Sequence, residues 1–271
     1  MKIFTKMLTV AALASLTLIG CQKDSQQISQ VQQTRISQET LNKIHNLGFG
    51  TDDVQIVEQG YLVEGDIVLT EELLNSTPDQ QLLRIANNEQ YRTTNLVTGL
   101  PRNITVSIDS KLPSSYGPAL DEAIRRYNAE NLTITMTKVT SGAAISISKG
   151  HGSYLASSGF PTSSGAPYSQ VLINSQSLGS GDGSSTFTNY IATILVHEIG
   201  HCIGFRHTDY MDRSYSCGGA YSNEGASNVG AILIPGTPSG PDAGSFMLAC
   251  ISSNQNRPFN SNDKTALNYL Y

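Results

Sequence analysis

The chain contains the sequence His197-Glu-Ile-Gly-His-Cys-Ile-Gly-Phe-Arg-His207, which holds three of its five histidines within eleven residues. His197 and His201 are four residues apart, so on a helix both imidazoles project from one face. Gly204 suits the left-handed conformation that ends a helix, after which the chain can return His207 to the first two histidines. Three neutral imidazoles with one open position are typical of a catalytic zinc site. This stretch therefore predicts a long helix that carries such a site.

The pattern H-E-x-x-H-x-x-G-x-x-H is matched at every fixed position, and it resembles the signature of the metzincin zinc endopeptidases. The resemblance implies that the three histidines bind Zn²⁺ and that Glu198 takes a proton from the attacking water. Thr208 and Asp209 follow the third histidine. With them, the stretch most closely resembles the dual-action metallopeptidase family M57.

Metzincins have a methionine-containing turn beneath the zinc, and Ser245-Phe-Met-Leu248 is similar to it. The resemblance implies that Met247 is a hydrophobic base for the histidines, and an ordinary core methionine is the alternative. Astacins and serralysins have a tyrosine two residues later, where this chain has Ala249, so no tyrosine ligand is expected from the turn. The C-terminal residues 262–271 fit the last metzincin helix.

Four stretches alternate apolar and polar residues as half-buried strands do, namely residues 104–108, 132–139, 144–148 and 170–174. A helix is predicted over residues 118–128, with Leu120, Ile124 and Tyr127 on one face. Strand, helix and then several strands predict an α/β or α+β fold. With the resemblance, the expectation is a metzincin-like catalytic domain over residues 96–271, in which a twisted mixed β-sheet accompanies the zinc-binding helix, the Met-turn and the C-terminal helix.

Residues 36–95 are predicted to contain a helix at 37–48, an extended stretch at 60–69 and the start of a polar connector at 75–98. Val63-Glu-Gly-Asp-Ile67 is similar to the Phe-x-Gly-Asp segment of astacin propeptides, in which the aspartate binds the zinc. The resemblance implies that residues 36–95 are a small inhibitory pro-segment and that Asp66 is its latency ligand. The alternative is a plain acidic turn residue in an accessory subdomain.

Residues 1–20 combine Lys2 and Lys6 with a short apolar run, which predicts a secretion signal. The run ends in Leu18-Ile-Gly-Cys21, which resembles the lipobox of bacterial lipoproteins and implies lipidation of Cys21. An ordinary signal peptide with an incidental cysteine is the alternative. Residues 21–35 are rich in Gln and Ser, as in a flexible tether. We expect an exported lipoprotein at the outer membrane or cell surface, from which cleavage near residue 95 releases the catalytic domain.

Apart from Cys21, the chain has Cys202, Cys217 and Cys250, an odd number for an oxidising compartment. Cys202 lies within the zinc motif and is expected to be a small buried apolar residue. A disulfide between Cys217 and Cys250 is therefore favoured, although the sequence leaves the other pairings open.

The chain has 17 Lys and Arg against 22 Asp and Glu, a net charge of −5, and no basic cluster, which argues against nucleic-acid binding. We expect a monomeric zinc endopeptidase that hydrolyses protein or peptide substrates outside the cell and meets the membrane only through its lipid anchor. Two alternatives are a surface lipoprotein that binds ligands and keeps a non-catalytic zinc site, and a hydrolase of cell-wall peptides. A structural zinc site usually has a fourth Cys or His ligand, which this motif does not offer.

Overall fold

The computed structural model describes residues 35–75, 90–225, 231–238 and 240–271. The secretion signal, the lipidation site Cys21 and all but the last residue of the tether lie outside the described residues, so they stay predictions. Within the described residues, no helix combines the length and apolar character needed to cross a membrane.

The described chain forms seven helices and ten strands. The helices are α1 (Gln38–Asn46), α2 (Glu71–Leu74), α3 (Tyr116–Asn128), α4 (Ser175–Leu178), α5 (Ser185–Cys202), α6 (Ser214–Cys217) and α7 (Ser261–Leu270). The strands are β1 (Gln55–Val57), β2 (Gly60–Val63), β3 (Ile67–Leu69), β4 (Tyr91–Arg92), β5 (Arg102–Ile108), β6 (Ile134–Lys138), β7 (Ile145–Lys149), β8 (Ala156–Ser157), β9 (Gln170–Ile173) and β10 (Ile232–Leu233).

The main sheet has five strands in the order β6-β5-β7-β9-β8. Strands β6, β5, β7 and β9 run parallel, whereas the edge strand β8 pairs antiparallel with β9. One face of the sheet is buried through alternating apolar residues such as Ile104 and Val106 on β5. This mixed sheet, packed with helices, confirms the predicted α+β class.

Helix α5 lies in the interior of the protein, and every residue from Tyr190 to Cys202 is buried. Its apolar run packs against α3, where the Tyr127 hydroxyl donates to the Val196 carbonyl oxygen at 2.8 Å. The Ser184 hydroxyl accepts a hydrogen bond from Phe187 N at 3.2 Å and caps the helix N-terminus. The zinc motif therefore lies on a rigid, fully packed element.

Strands β1, β2 and β3 form a separate antiparallel sheet beside α1 and α2. We predicted residues 60–69 as one extended stretch, but the structure divides it into the hairpin β2–β3. The turn forms because Glu64 and Gly65 adopt left-handed conformations, with φ of 55° and 85°. The hairpin joins two cores, since Val63 and Ile67 lie in a small N-terminal cluster while Leu62 and Val68 lie in the main core.

Residues 36–271 form one compact unit. The predicted connector contains β4, which pairs with β10, and Thr93 N donates to the Gly204 carbonyl oxygen at 2.8 Å. The segment just before residue 95 is thus packed on the end of the zinc motif. The proposed boundary near residue 95 does not coincide with a division between compact units, and its cleavage stays a prediction.

Candidate metal centre and active site

The end of α5 and the turn after it bring the three histidines together. Gly204 has φ 110°, and a Cβ atom there would lie 2.7 Å from Leu96 Cδ2, so only glycine fits this turn without strain. His197 Nε2 lies 3.1 Å from His201 Nε2, and His207 Nε2 lies 3.2 Å from the same atom. The turn has therefore returned His207 to the face of the helix that carries the other two.

Each imidazole has an outer hydrogen-bond partner that fixes its proton. The carbonyl oxygens of Phe246 and Phe205 lie 2.9 and 2.8 Å from Nδ1 of the first and second histidine. Two carboxylate oxygens of Glu224 lie 2.9 and 3.1 Å from Nδ1 of His207. Because these oxygens accept hydrogen bonds, each Nδ1–H donates and each Nε2 presents a lone pair.

Asp66, at the tip of the β2–β3 hairpin, supplies a fourth atom to this cluster. Its Oδ2 lies 3.0 Å from His207 Nε2 and 3.5 Å from His197 Nε2. Four zinc ligands at 2.0–2.1 Å in a tetrahedron are separated by about 3.3 Å, which is close to these distances. Lone pairs that converge without a proton between them repel one another unless a cation lies among them. The donor set therefore fits a tetrahedral zinc ion.

The charges of these groups suit a metal site. Burial, and then the neighbouring histidines, lower the pKa of the His201 imidazole well below its ordinary value, which favours the neutral ligand form. In the metal-free protein, burial raises the pKa of the Asp66 carboxyl, but a protonated, charged His207 and the hydrogen bonds that His197 and His207 then donate outweigh it and hold that pKa well below its usual range. A bound zinc ion would replace these protons. Asp66 is therefore an anion at the histidine cluster.

Glu198 is buried beside the first histidine and has one clear side-chain partner. The hydroxyl of Ser158, the residue after edge strand β8, donates to Glu198 Oε2 at 2.7 Å. Burial and the charge of Asp66 raise the pKa of the Glu198 carboxyl well above its ordinary value, and the Ser158 hydrogen bond opposes that shift. A carboxyl group with a raised pKa can both accept and return a proton near neutral pH.

Met247 packs directly against the zinc-motif helix. A Cβ atom on Gly200 would lie 2.6 Å from Met247 Sδ, so the glycine permits this close approach. Met247 is fully buried, and its carbonyl oxygen accepts a hydrogen bond from Thr208 N at 3.0 Å. The turn therefore lies next to the helix that carries the histidines, in the place expected for a Met-turn.

Asp263 on α7 holds this turn in place, and the sequence analysis did not identify it. Its carboxylate accepts hydrogen bonds from Gln90 Nε2 at 2.7 Å, Ser245 Oγ at 3.0 Å and Phe246 N at 3.2 Å. The carbonyl oxygen of Phe246 accepts in turn from His197 Nδ1. Burial raises the pKa of Asp263 to about 6.

The segments that follow the third histidine and the Met-turn are tied together. Buried Asp209 accepts hydrogen bonds from Ala249 N at 2.9 Å and from Ser216 Oγ at 2.5 Å. A disulfide joins Cys217 to Cys250, with Cα atoms 5.1 Å apart, while Cys202 is a buried free thiol. Asp209, which the sequence analysis used only to compare families, thus links two loops of the site.

A cavity of about 250 Å³ opens beside His197 and Glu198. Its apolar wall includes Ile194 from helix α5, Leu248 at the end of the Met-turn, and Ile251 just after it. The volume is large enough for a substrate side chain next to the metal cluster.

The β2–β3 hairpin lies across the edge of the main sheet at this cavity. Val68 N donates to the Ser158 carbonyl oxygen at 2.6 Å, and Ser158 N donates to the Asp66 carbonyl oxygen at 2.8 Å. Glu64 and Gly65 line the same cavity as Glu198. The hairpin therefore occupies backbone hydrogen-bonding groups that an extended peptide would use.

The sequence profile of the dual-action HEIGH metallo-peptidases matches residues 61–271, which is more than half of the chain. The chain belongs to this metallopeptidase family. The match confirms the resemblance drawn from the zinc motif. It begins within the β2–β3 hairpin, so the family's domain includes Asp66 as well as the residues after position 96.

Two solved structures of myroilysin show a weaker similarity. The first is 20% identical, with a TM-score of 0.31, and the match covers 43% of this chain and 54% of that chain. The second is 15% identical, with a TM-score of 0.38, and covers 63% and 83%. The chain thus spans about half the length of the first, and TM-scores this low carry no structural argument. No curated protein matches the chain.

Proposed function

We propose that the protein is a zinc-dependent endopeptidase in which His197, His201 and His207 hold the metal and Glu198 is the general base. The observation that carries this proposal is the convergence of three Nε2 lone pairs beside a buried carboxyl group and an open cavity. Zinc bound there lowers the pKa of a water molecule and polarises a peptide carbonyl group.

Glu198 takes the proton of the attacking water and delivers it to the leaving amine. Ser158 keeps one oxygen of this carboxyl in place, which leaves the other for the water. The carbonyl and carboxylate partners at Nδ1 fix the orientation of each imidazole. The substrate lies extended beside Ser158, just after β8, where the hairpin now forms backbone hydrogen bonds, and a substrate side chain enters the apolar cavity.

The direct test is casein cleavage by the zinc-loaded chain with a specific protease site inserted between Asn75 and Gln90. The protein is folded intact and cut at that site, and the N-terminal part is then separated from the rest before the assay. We expect chelator-sensitive cleavage after the cut, reduced at least about 100-fold by Glu198→Gln. Activity that survives Glu198→Gln would contradict the proposed base.

The two alternatives are outcomes of the same assay. A ligand-binding lipoprotein would bind zinc stoichiometrically yet cleave neither casein nor cell-wall peptides after the cut. A cell-wall hydrolase would cleave cross-linked stem peptides but not casein. The open cavity beside Glu198 favours an enzyme, since a structural zinc site needs neither a cavity nor a base.

We also propose that residues 36–95 are an inhibitory pro-segment and that Asp66 is its latency ligand. Asp66 Oδ2 lies within 3.5 Å of two zinc-ligand nitrogens, where a water molecule would otherwise bind. Asp66→Ala should raise the casein activity of the intact chain, with Asp53→Ala, an exposed acid of the same segment, as the control. Equal activity in Asp66→Ala and the wild type would refute the latency role.

We further propose that the protein is exported and anchored through a lipid on Cys21. The lipobox-like sequence at residues 18–21 supports this location. Metabolic labelling with a radioactive fatty acid should mark the wild-type chain and not Cys21→Ser. An unlabelled wild-type chain would contradict the anchor.

A further inference from the structure

Glu224 is distinguished from the other groups that hold the histidines by its charge. The first two histidines donate to neutral backbone carbonyl groups, whereas His207 donates to a carboxylate. The Glu224 side chain is 1% exposed, and its backbone N–H donates to the Tyr210 carbonyl oxygen at 2.8 Å, which fixes the residue in its loop. The zinc motif contains no signal for it, because it lies 17 residues after His207.

Two guanidinium groups compensate the buried charge of Glu224. Arg213 Nε lies 3.3 Å from Glu224 Oε1, and Arg206 Nη2 lies 3.8 Å from Oε2. The side chain of Arg206 is completely buried, and that of Arg213 is 19% exposed. A buried carboxylate is stable only when it is paired and hydrogen-bonded, and this one has both kinds of partner.

The same atoms raise the question of a second cation, since ligand atoms of Glu64, His207 and Glu224 lie within 4.8 Å of one another. The hydrogen bond from His207 Nδ1 to Glu224 places a proton where such a cation would have to bind. Arg206 and Arg213 already supply positive charge beside both carboxylates, because Arg206 Nη2 is 3.4 Å from Glu64 Oε2. The arrangement is therefore an ion-pair network around one imidazole.

We propose that Glu224 is a positioning residue for His207, which keeps the third zinc ligand in its Nδ1–H tautomer and, through its negative charge, makes Nε2 a stronger donor to the metal. A carboxylate partner of a metal-bound histidine fixes the ring and raises its basicity. The inference rests on the zinc site in the proposed function. The sequence motif identifies His207 as a ligand, whereas the charged residue that orients it is seen only in the structure.

The test compares zinc binding by the intact wild-type chain and by Glu224→Gln. The amide keeps one hydrogen-bond acceptor for Nδ1, removes the charge and turns the second acceptor oxygen into a donor. Competition with a chromogenic chelator should show a dissociation constant about 10- to 100-fold higher for the variant. The absorption bands of the Co²⁺-loaded variant should also move, because the ligand field at the metal depends on donor strength.

The matched control is Glu130→Gln, which removes a partly buried acid that pairs at 3.1 Å with Lys264 of α7 and not with a histidine of the site. It should bind zinc like the wild type. Glu224→Asp keeps the charge and should restore much of the affinity and the Co²⁺ spectrum. This variant separates the charge from the shape of the side chain.

A purely structural role would lower the melting temperature of the metal-free protein without changing the increase that zinc produces. The proposal is overturned if Glu224→Gln binds zinc within about twofold of the wild type with an unchanged Co²⁺ spectrum. Failure of the proposed function looks different, because the wild type would then bind zinc and show the Glu224 effect while cleaving no peptide.

Discussion

At the scale of single residues, the site depends on side chains that orient the reacting groups. The convergence of the three histidines beside Glu198 could be predicted because their spacing follows the geometry of one helix and one turn. Ser158 and Glu224 could not, since they lie 40 and 17 residues from their partners and nothing in the local pattern marks them. Their roles follow only from how the chain folds.

Ser158→Ala should lower kcat of the cut, zinc-loaded enzyme by roughly tenfold with little change in KM. The variant removes the 2.7 Å hydrogen bond to Glu198, so the general base spends less time in the productive orientation. Steady-state cleavage of a fluorogenic peptide measures both constants. Ser157→Ala is the control, because the buried Ser157 hydroxyl has no hydrogen-bond partner among the described residues. Equal losses in both variants would contradict the assignment.

At the scale of elements, the longer helices and the central strands can be predicted from their hydrophobic periodicity, whereas the shortest strands are too short to show any. The two-residue strands β4, β8 and β10 are too short for a periodic pattern, yet β8 forms the sheet edge at the active site. The β2–β3 turn was missed for a different reason. The strands on either side of the turn, residues 61–63 and 67–69, are apolar on both faces because each face is covered by a different core, so they show no alternating pattern.

Asp263 connects the C-terminal helix to the Met-turn, and its raised pKa predicts a pH effect on stability. The folded-state pKa is about 6, against an ordinary value of 3.8. Between these pH values the folded protein keeps the Asp263 proton, whereas the unfolded chain has released it. The extra free energy of unfolding that this proton provides is complete below about pH 4 and is lost as the pH rises through 6. Asp263→Asn removes the contribution.

Urea unfolding at pH 4, 5, 6 and 7 measures this effect. The wild type should lose up to about 3 kcal/mol of unfolding free energy relative to Asp263→Asn as the pH rises through this window. Asp53→Asn, which removes an exposed acid of the N-terminal segment, reports the effect of charge removal alone. Parallel pH profiles for the wild type and Asp263→Asn would rule the effect out.

At the scale of the whole molecule, the N-terminal part and the catalytic region share their packing. Phe49 is 2% exposed, its ring centroid lies 6.2 Å from that of Phe160, and the Arg206 guanidinium carbon lies 4.6 Å above its ring. The sequence motifs predicted Asp66 as a ligand, but not this packing, because the contacts join residues more than 100 positions apart. The proposed latency contact of Asp66 is therefore supported by packing between residues distant in sequence.

Phe49→Ala should raise the casein activity of the intact chain. Replacing a buried Phe by Ala leaves a cavity that costs about 3–5 kcal/mol and weakens the packing that holds the β2–β3 hairpin in place. Ile56→Ala is the matched control, since Ile56 belongs to the same small sheet and is 53% exposed. Its activity should equal that of the wild type. If the casein activity of Phe49→Ala equals that of the wild type, the packing of Phe49 does not support the proposed latency contact of Asp66.

The central claim is that the intact chain holds one zinc ion between the three histidines with Asp66 as the fourth ligand. Anomalous diffraction at the zinc edge from crystals of the zinc-loaded intact chain tests it most directly. We expect a single peak about 2.0–2.2 Å from Nε2 of His197, His201 and His207 and from Asp66 Oδ2. A peak coordinated by water in place of Asp66, or one located between Glu64 and Glu224, would contradict the account.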